Sequence, residues 1–153
     1  MESHEHIEIT SAIAADSTIA EHVAHFGERI SAAVEHEVGI TAVPLDGRFH
    51  TVRTQETNLG NFVADMLRHS LNTCPEVFVD VAFFNSGSLR SDKIHPAGRL
   101  KLKDILQILP YMDEVTVVLM PGSRLRQVLE NAVSMYPKFE GRFLQVRSPP
   151  ARA

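Results

Sequence analysis

The run Val77-Phe78-Val79-Asp80-Val81-Ala82-Phe83-Phe84 constrains this chain most. It is rich in β-branched and aromatic side chains and carries one charge, so neither of its faces suits water. A strand of that kind is expected to be covered on both faces, which calls for helices layered over a sheet.

Helical patterns stand on either side of it. Ile19, Val23, Phe26, Ile30 and Val34 recur at three- and four-residue spacing and form one apolar stripe. Thr18 and Glu21 fit a capping box at the start of that helix, and Gly39 is placed to end it. Ile40 to Leu45 reads as a short strand before the turn signal Asp46-Gly47. A second helix is expected from Asn58 to Leu71, burying Leu59, Phe62, Val63, Met66 and Leu67. Lys103 to Leu109 reads as a short helix stopped by Pro110, and Val115 to Met120 as a second buried strand. After the turn Pro121-Gly122, Ser123 can cap a third helix with Leu125, Val128, Leu129, Ala132 and Val133 inward and Pro137 at its end. Helices and strands therefore alternate, and the expected fold is an α/β layered domain.

With 153 residues the chain has room for one such domain, and 44% hydrophobic residues suffice for its core. The net charge of -4 offers no basic field for a nucleic acid polymer. The single cysteine, Cys74, excludes an internal disulfide and a cysteine-based zinc site. No apolar run reaches the roughly 18 residues that a membrane span needs. The acidic, polar start, Met-Glu-Ser-His-Glu-His, lacks the features of a signal peptide, so the chain as written is expected in the cytosol if it is complete. Residues 1–17 read as a lead-in, 18–146 as the domain, and 147–153 as a tail without core-forming residues.

Four constellations could carry chemistry. Arg48, Arg53 and Arg90 stand at element ends, where a planar fork of donors suits phosphate, carboxylate or vicinal hydroxyls; the structural alternative pairs them with Asp46, Glu56 or Asp92. Thr54-Gln55-Glu56-Thr57-Asn58-Leu59-Gly60-Asn61 gathers polar groups at a helix start, which suits either an anion site or an elaborate N-cap with a close helix contact at Gly60. His22 and His25 are three apart on one helix but lack a third ligand at a fitting spacing, and His4-Glu5-His6 has no more support, so solvated histidines are the expectation. Ser86 and Ser88 flank Gly87 without a G-x-S-x-G elbow, and Cys74 has no evident partner, so no nucleophile is assigned.

The order of these segments is more specific than any of them alone. Arg53-(x)2-Glu56-Thr57-Asn58-Leu59-Gly60-Asn61-Phe62-Val63-Ala64-Asp65 resembles the signature R-x-x-E-x-N-L-G-N-hydrophobic-x-A-D that opens the C-terminal domain of the 5′-nucleotidase family. Asn85-Ser86-Gly87-Ser88-Leu89-Arg90 resembles the family's N-G-G-G-I-R, and Leu109-Pro110-Tyr111 its short helix ending in P-F. Pro121-Gly122, Leu129-Glu130-Asn131-Ala132 and Gly141-Arg142-Phe143-Leu144-Gln145-Val146 follow in the family's order. The resemblance covers roughly residues 7 to 146, and the helix near 18–38 is similar to the family's interdomain connector.

The resemblance implies a layered mixed-sheet domain of the 5′-nucleotidase C-terminal type, truncated at its C-terminal end. It implies a substrate-binding role for Arg53, Asn85, Gly87, Arg90 and Tyr111, with Arg48 a further arginine at a departing spacing. Tyr111 would stack on a base. The family's reaction, phosphoric monoester hydrolysis in nucleotide catabolism, uses a divalent metal pair held by an N-terminal metallophosphoesterase domain. Its D-x-H, G-D, G-N-H-[DE] and G-H-x-H motifs do not occur in this sequence, so no catalytic or metal-binding residue is assigned and activity of the chain alone is not expected. Two departures matter. Ser86 and Ser88 replace glycines, and the G-G-D-G segment near the family's second stacking aromatic is missing. The expected partners are a nucleotide or related phosphoester and the metal domain of a full-length parent. The alternative is a non-catalytic module that binds a nucleoside, nucleotide or protein.

Overall fold

The computed structural model describes residues 6–148. His4 and Glu5 of the lead-in and residues 149–153 of the tail lie outside the described residues. The chain divides into two units at His36/Glu37.

In the first unit, α1 spans Ser17–Val34. Asp16 is its N-cap, accepting from the Ile19 N–H at 3.0 Å through Oδ1. The expected cap at Thr18 is therefore displaced by two residues, because an aspartate carboxylate just upstream reaches the free N–H groups first. Gly39 does not end the helix, which stops at Val34. Ile19, Val23, Phe26 and Ile30 of the apolar stripe are exposed.

The second unit begins with β1 (Glu37–Thr41) and β2 (Leu45–Asp46), so the expected strand from Ile40 to Leu45 is two strands with a break between. A single helical turn, α2 (Phe49–Val52), leads to α3 (Asn58–Asn72). Then come β3 (Ala82–Asn85), a 3-10 turn at Ser86–Ser88, β4 (Ile94–His95) and β5 (Gly98–Lys101). The chain continues with α4 (Leu102–Ile108), α5 (Gly122–Val133) and β6 (Leu144–Arg147). The strands form three antiparallel pairs: β1 with β5, β2 with β4, and β3 with β6. In the last, Ala82 faces Arg147 and Asn85 faces Leu144.

Leu45, Val52, Leu59, Val63, Leu89, Leu100 and Ile108 form the core, with Phe62, Leu67, Phe84, Ile105 and Leu109 packed against it. Full burial of a side chain such as Leu59 contributes about 2 kcal/mol. α3 is the pivot of this core: Leu59, Gly60, Val63 and Ala64 are buried along one face. Met66, expected on that face, is half exposed.

The two buried-strand expectations need correction. Only Ala82–Phe84 of the first apolar run is paired, and Phe78 is exposed. Val115–Met120 joins no strand and is largely exposed. Both runs have the composition of covered strands, but among the described residues no strand pairs with residues 77–81 or with Val115–Met120. α5 starts at Gly122 with Pro121 as N-cap and no side-chain capping bond, so Ser123 is not the cap. Of its expected inward residues only Ala132 is buried, and Leu129 and Val133 are exposed. No described helix is long and apolar enough to cross a membrane.

Candidate functional site

The polar signature at the start of α3 is consumed by the scaffold. Thr57 caps the helix by accepting from the Gly60 N–H at 3.0 Å. Asn58 accepts from the Asp46 N–H at 2.9 Å and donates to the Pro44 carbonyl at 2.6 Å, tying α3 to β2. Asn61 donates to Glu56 at 2.7 Å. The N-cap alternative for this segment therefore describes what Thr57, Asn58 and Asn61 do.

Packing explains Gly60. A Cβ there would meet the side chain of Gln145. Gln145, wholly buried on β6, donates from Nε2 to the carbonyls of Val52 (2.8 Å) and Gln55 (2.9 Å). Its Oε1 accepts from the Thr57 N–H at 3.2 Å. One amide thus satisfies three backbone groups of the segment that carries Arg53.

Arg53 differs from its neighbours. It follows α2, and its guanidinium lies over two aromatic rings, 4.5 Å from the Phe49 centroid and 4.8 Å from that of Phe139. Such cation–π contacts hold the fork in place without using up its hydrogen-bond donors. Its Nε is buried and has no hydrogen-bond partner among the described residues. Phe139 also stacks on His50, with 6.2 Å between centroids and 19° between the planes. Arg53 lines a small cleft with Ala132, Met135, Tyr136, Lys138, Glu140, Arg142 and Phe143. Its volume of about 10 Å³ is room for about one water, so a larger ligand would lie on this surface rather than inside it.

Gly87 binds the loop after β3 to the 138–143 loop. Its N–H donates to the Gly141 carbonyl at 3.0 Å, and a Cβ on Gly141 would stand 3.0 Å from the Gly87 Cα. Ser86 reinforces the contact, with its N–H donating to the Phe143 carbonyl at 2.8 Å. Asn85, exposed at the end of β3, accepts from the Ser88 hydroxyl at 3.1 Å. The 138–143 loop therefore touches Arg53 through Phe139 and Gly87 through Gly141.

Arg90 and Tyr111 meet each other. The guanidinium is 5.5 Å from the ring centroid, and Nη2 donates to the phenol oxygen at 3.3 Å. Both side chains are exposed, while the Arg90 N–H is held by the Ile108 carbonyl at 2.9 Å. Among the described residues no hydrogen bond or ring contact joins this pair to the Arg53 cluster.

Arg48 is engaged elsewhere. It grips Asp46 with Nη2 at 2.6 Å and Nε at 2.9 Å, and the Arg48 guanidinium holds the Asp46 carboxyl below its ordinary range. The Asp46 partner in turn raises the Arg48 pKa. Asp92, at φ +44°, accepts from the Phe49 N–H at 2.7 Å and so positions the start of α2.

No group of three or more His, Cys, Asp or Glu side chains among the described residues could hold a metal ion. The described residues do not fit a metal pair. Sequence reasoning missed Phe49, His50, Phe139, Gly141 and Gln145. Gln145 lay within a matched segment, but its role depends on a pairing 93 positions away.

The profile of the 5′-nucleotidase, C-terminal domain, matches residues 37–148. The mouse 5′-nucleotidase is 31% identical over 144 residues, covering 90% of this chain and 25% of that protein. The trifunctional nucleotide phosphoesterase protein YfkN of Bacillus subtilis is 33% identical over 124 residues, covering 79% of this chain and 8% of its own length. The crystal structure of the 5′-nucleotidase precursor from Thermus thermophilus superposes with a TM-score of 0.74 at 26% identity, over 85% of this chain and 25% of that one. The chain thus spans about a quarter of the mouse and Thermus proteins. With this profile match and the observed fold, the chain belongs to the family of 5′-nucleotidase C-terminal domains.

Proposed function

We propose that the 37–148 unit holds the organic part of a nucleotide or related phosphoester whose hydrolysis is carried out by a metal-bearing N-terminal domain of a longer protein. Tyr111 supplies a flat face for a base, with Arg90 beside it as a donor. Arg53 presents its fork toward ribose or phosphate oxygens, and Asn85 adds an amide at the loop after β3. Gly87 keeps that loop close to the 138–143 loop and leaves room above the backbone. Arg48 organises the turn through Asp46. The observation that carries the reading is the division of labour in the signature. Thr57, Asn58 and Asn61 are committed to internal hydrogen bonds, while the Arg53 guanidinium is held by aromatic rings and makes no hydrogen bond to the described residues.

Divalent metal ions, when bound in the N-terminal domain, would polarise the phosphate and supply the nucleophilic hydroxide. The residues here bind and orient. Calorimetric titration of the chain with AMP, adenosine and ribose 5-phosphate tests the proposal. Heat from the two adenine-bearing ligands, lost in Tyr111→Ala and in Arg53→Ala, is expected. No binding of any of the three at millimolar concentration would end it.

A further inference from the structure

Phe49, His50, Arg53 and Phe139 form a closed set of contacts. Phe49 and His50 are neighbours in α2, and Arg53 is the C-cap of that turn. The guanidinium carbon of Arg53 lies over the rings of Phe49 and Phe139, and Phe139 in turn stacks on His50. Of the three rings, only Phe139 comes from outside α2. Core packing does not account for it. Phe139 is 46% exposed, His50 is exposed, and neither belongs to the core cluster. Nor do the nearby carboxylates hold the guanidinium. Glu140, which lines the same cleft, pairs with Arg142 at 3.1 Å, and Glu56 accepts from Asn61.

A long arginine side chain loses rotamer freedom when a ligand orders it, and one already held in place loses less and binds more tightly. A salt bridge would hold it too, but would occupy the donors that a ligand needs. Aromatic faces attract the delocalised cation and leave its N–H groups free. Phe49 cannot fix Arg53 against the rest of the unit, because both belong to the same turn. A ring on another segment can. Phe139 is that ring, and its plane is set by His50, 19° from parallel. The loop backbone is tied separately, at Gly141 to Gly87 and at Phe143 to Ser86. We propose, resting on the reading of Arg53 as a ligand-binding group, that Phe139 is the positioning residue of Arg53 and that His50 braces Phe139. Each acts as a flat ring, so another flat ring can replace it.

NMR of the isotope-labelled 153-residue chain reads this through the Arg53 Nε–H signal, assigned by its loss in Arg53→Lys. In the parent the signal should be displaced by the ring currents and move no more than the backbone around it. Phe139→Leu should return it to the position and mobility of a free arginine side chain, and should weaken AMP binding by roughly fivefold. His50→Ala should shift both readouts the same way, by less. Phe139→Tyr and His50→Phe keep a ring and should restore both. The Gly87 amide, bonded to the Gly141 carbonyl, should keep its hydrogen-exchange protection throughout, showing that the loop is still seated. An Arg53 signal unmoved by Phe139→Leu or by His50→Ala would overturn the proposal. So would an AMP affinity that falls as far in Phe139→Tyr as in Phe139→Leu, or loss of Gly87 protection in Phe139→Leu. A parent that binds neither AMP nor ribose 5-phosphate ends the ligand reading instead, and the Arg53 signal still decides whether Phe139 holds the arginine.

Discussion

Gln145 donates to the Val52 carbonyl at 2.8 Å, joining β6 to the turn that carries Arg53. The same amide holds Gln55 and Thr57, so an apolar replacement leaves three backbone groups without that partner. Gln145→Leu is expected to destabilise the fold by about 3 kcal/mol or more, measured by urea denaturation. Gln145→Glu places a second acceptor, and a buried charge, against the Val52 and Gln55 carbonyls and should destabilise at least as much. A loss under about 0.5 kcal/mol would show that water replaces the bonds.

Gly60 tests the same contact from the other side. Its missing Cβ is the space that Gln145 fills. Gly60→Ala improves helix propensity by roughly 1 kcal/mol, yet overpacking a buried contact costs about 1–3 kcal/mol. Net destabilisation is expected, and the cost of Gly60→Ala should shrink when it is made in a Gln145→Ala background, where the clashing side chain is gone. A fully stabilising Gly60→Ala would refute the close packing.

Two groups should give the stability two separate pH limbs. His95 is almost wholly buried in β4, its Nε2 lacks a partner, and burial first, then Lys93, lower its pKa, with Asp104 opposing. The unfolded chain takes up that proton near pH 6.5 and the folded one only at lower pH, so stability should fall as pH drops below about 6.5. His95→Gln should flatten this limb. Asp46 has a lowered pKa through Arg48, so its contribution is present above its unfolded value and is lost as pH falls below about 4. Asp46→Asn should remove that second limb alone. Denaturation midpoints across the pH range read both.

Tyr111 offers a split between ring and hydroxyl. Tyr111→Phe removes the 3.3 Å bond to Arg90 but keeps the face, so it should weaken adenosine binding by less than about fivefold. Tyr111→Ala removes the face and should weaken it by roughly tenfold or more. Equal losses in the two variants would mean that the hydroxyl, not stacking, holds the ligand.

The elements legible in the sequence were those whose signals are local. α3 runs from Asn58 to Asn72 almost as its apolar spacing requires, because its stripe packs onto Leu45, Leu89 and Leu100. Composition misled at Phe78 and at Val115–Met120, where no strand pairs with the β-rich residues among the described residues. Side-chain identity alone also could not separate Arg48 from Arg53. Both are arginines near α2, but Asp46 captures one, and two rings hold the other. The aromatic that matters there, Phe139, is about ninety residues downstream in a segment with no motif of its own.

The backbone contact between Gly87 and Gly141 limits how this surface can diversify. A Cβ on Gly141 would stand 3.0 Å from the Gly87 Cα, and one on Gly87 3.3 Å from the Gly141 Cα, so a side chain at either position makes the loops that carry Asn85 and Phe139 yield by a few tenths of an ångström. New ligand preferences are then most accessible through the exposed ring positions 111 and 139. A mutational library built on this domain should hold both glycines fixed and vary those two rings first.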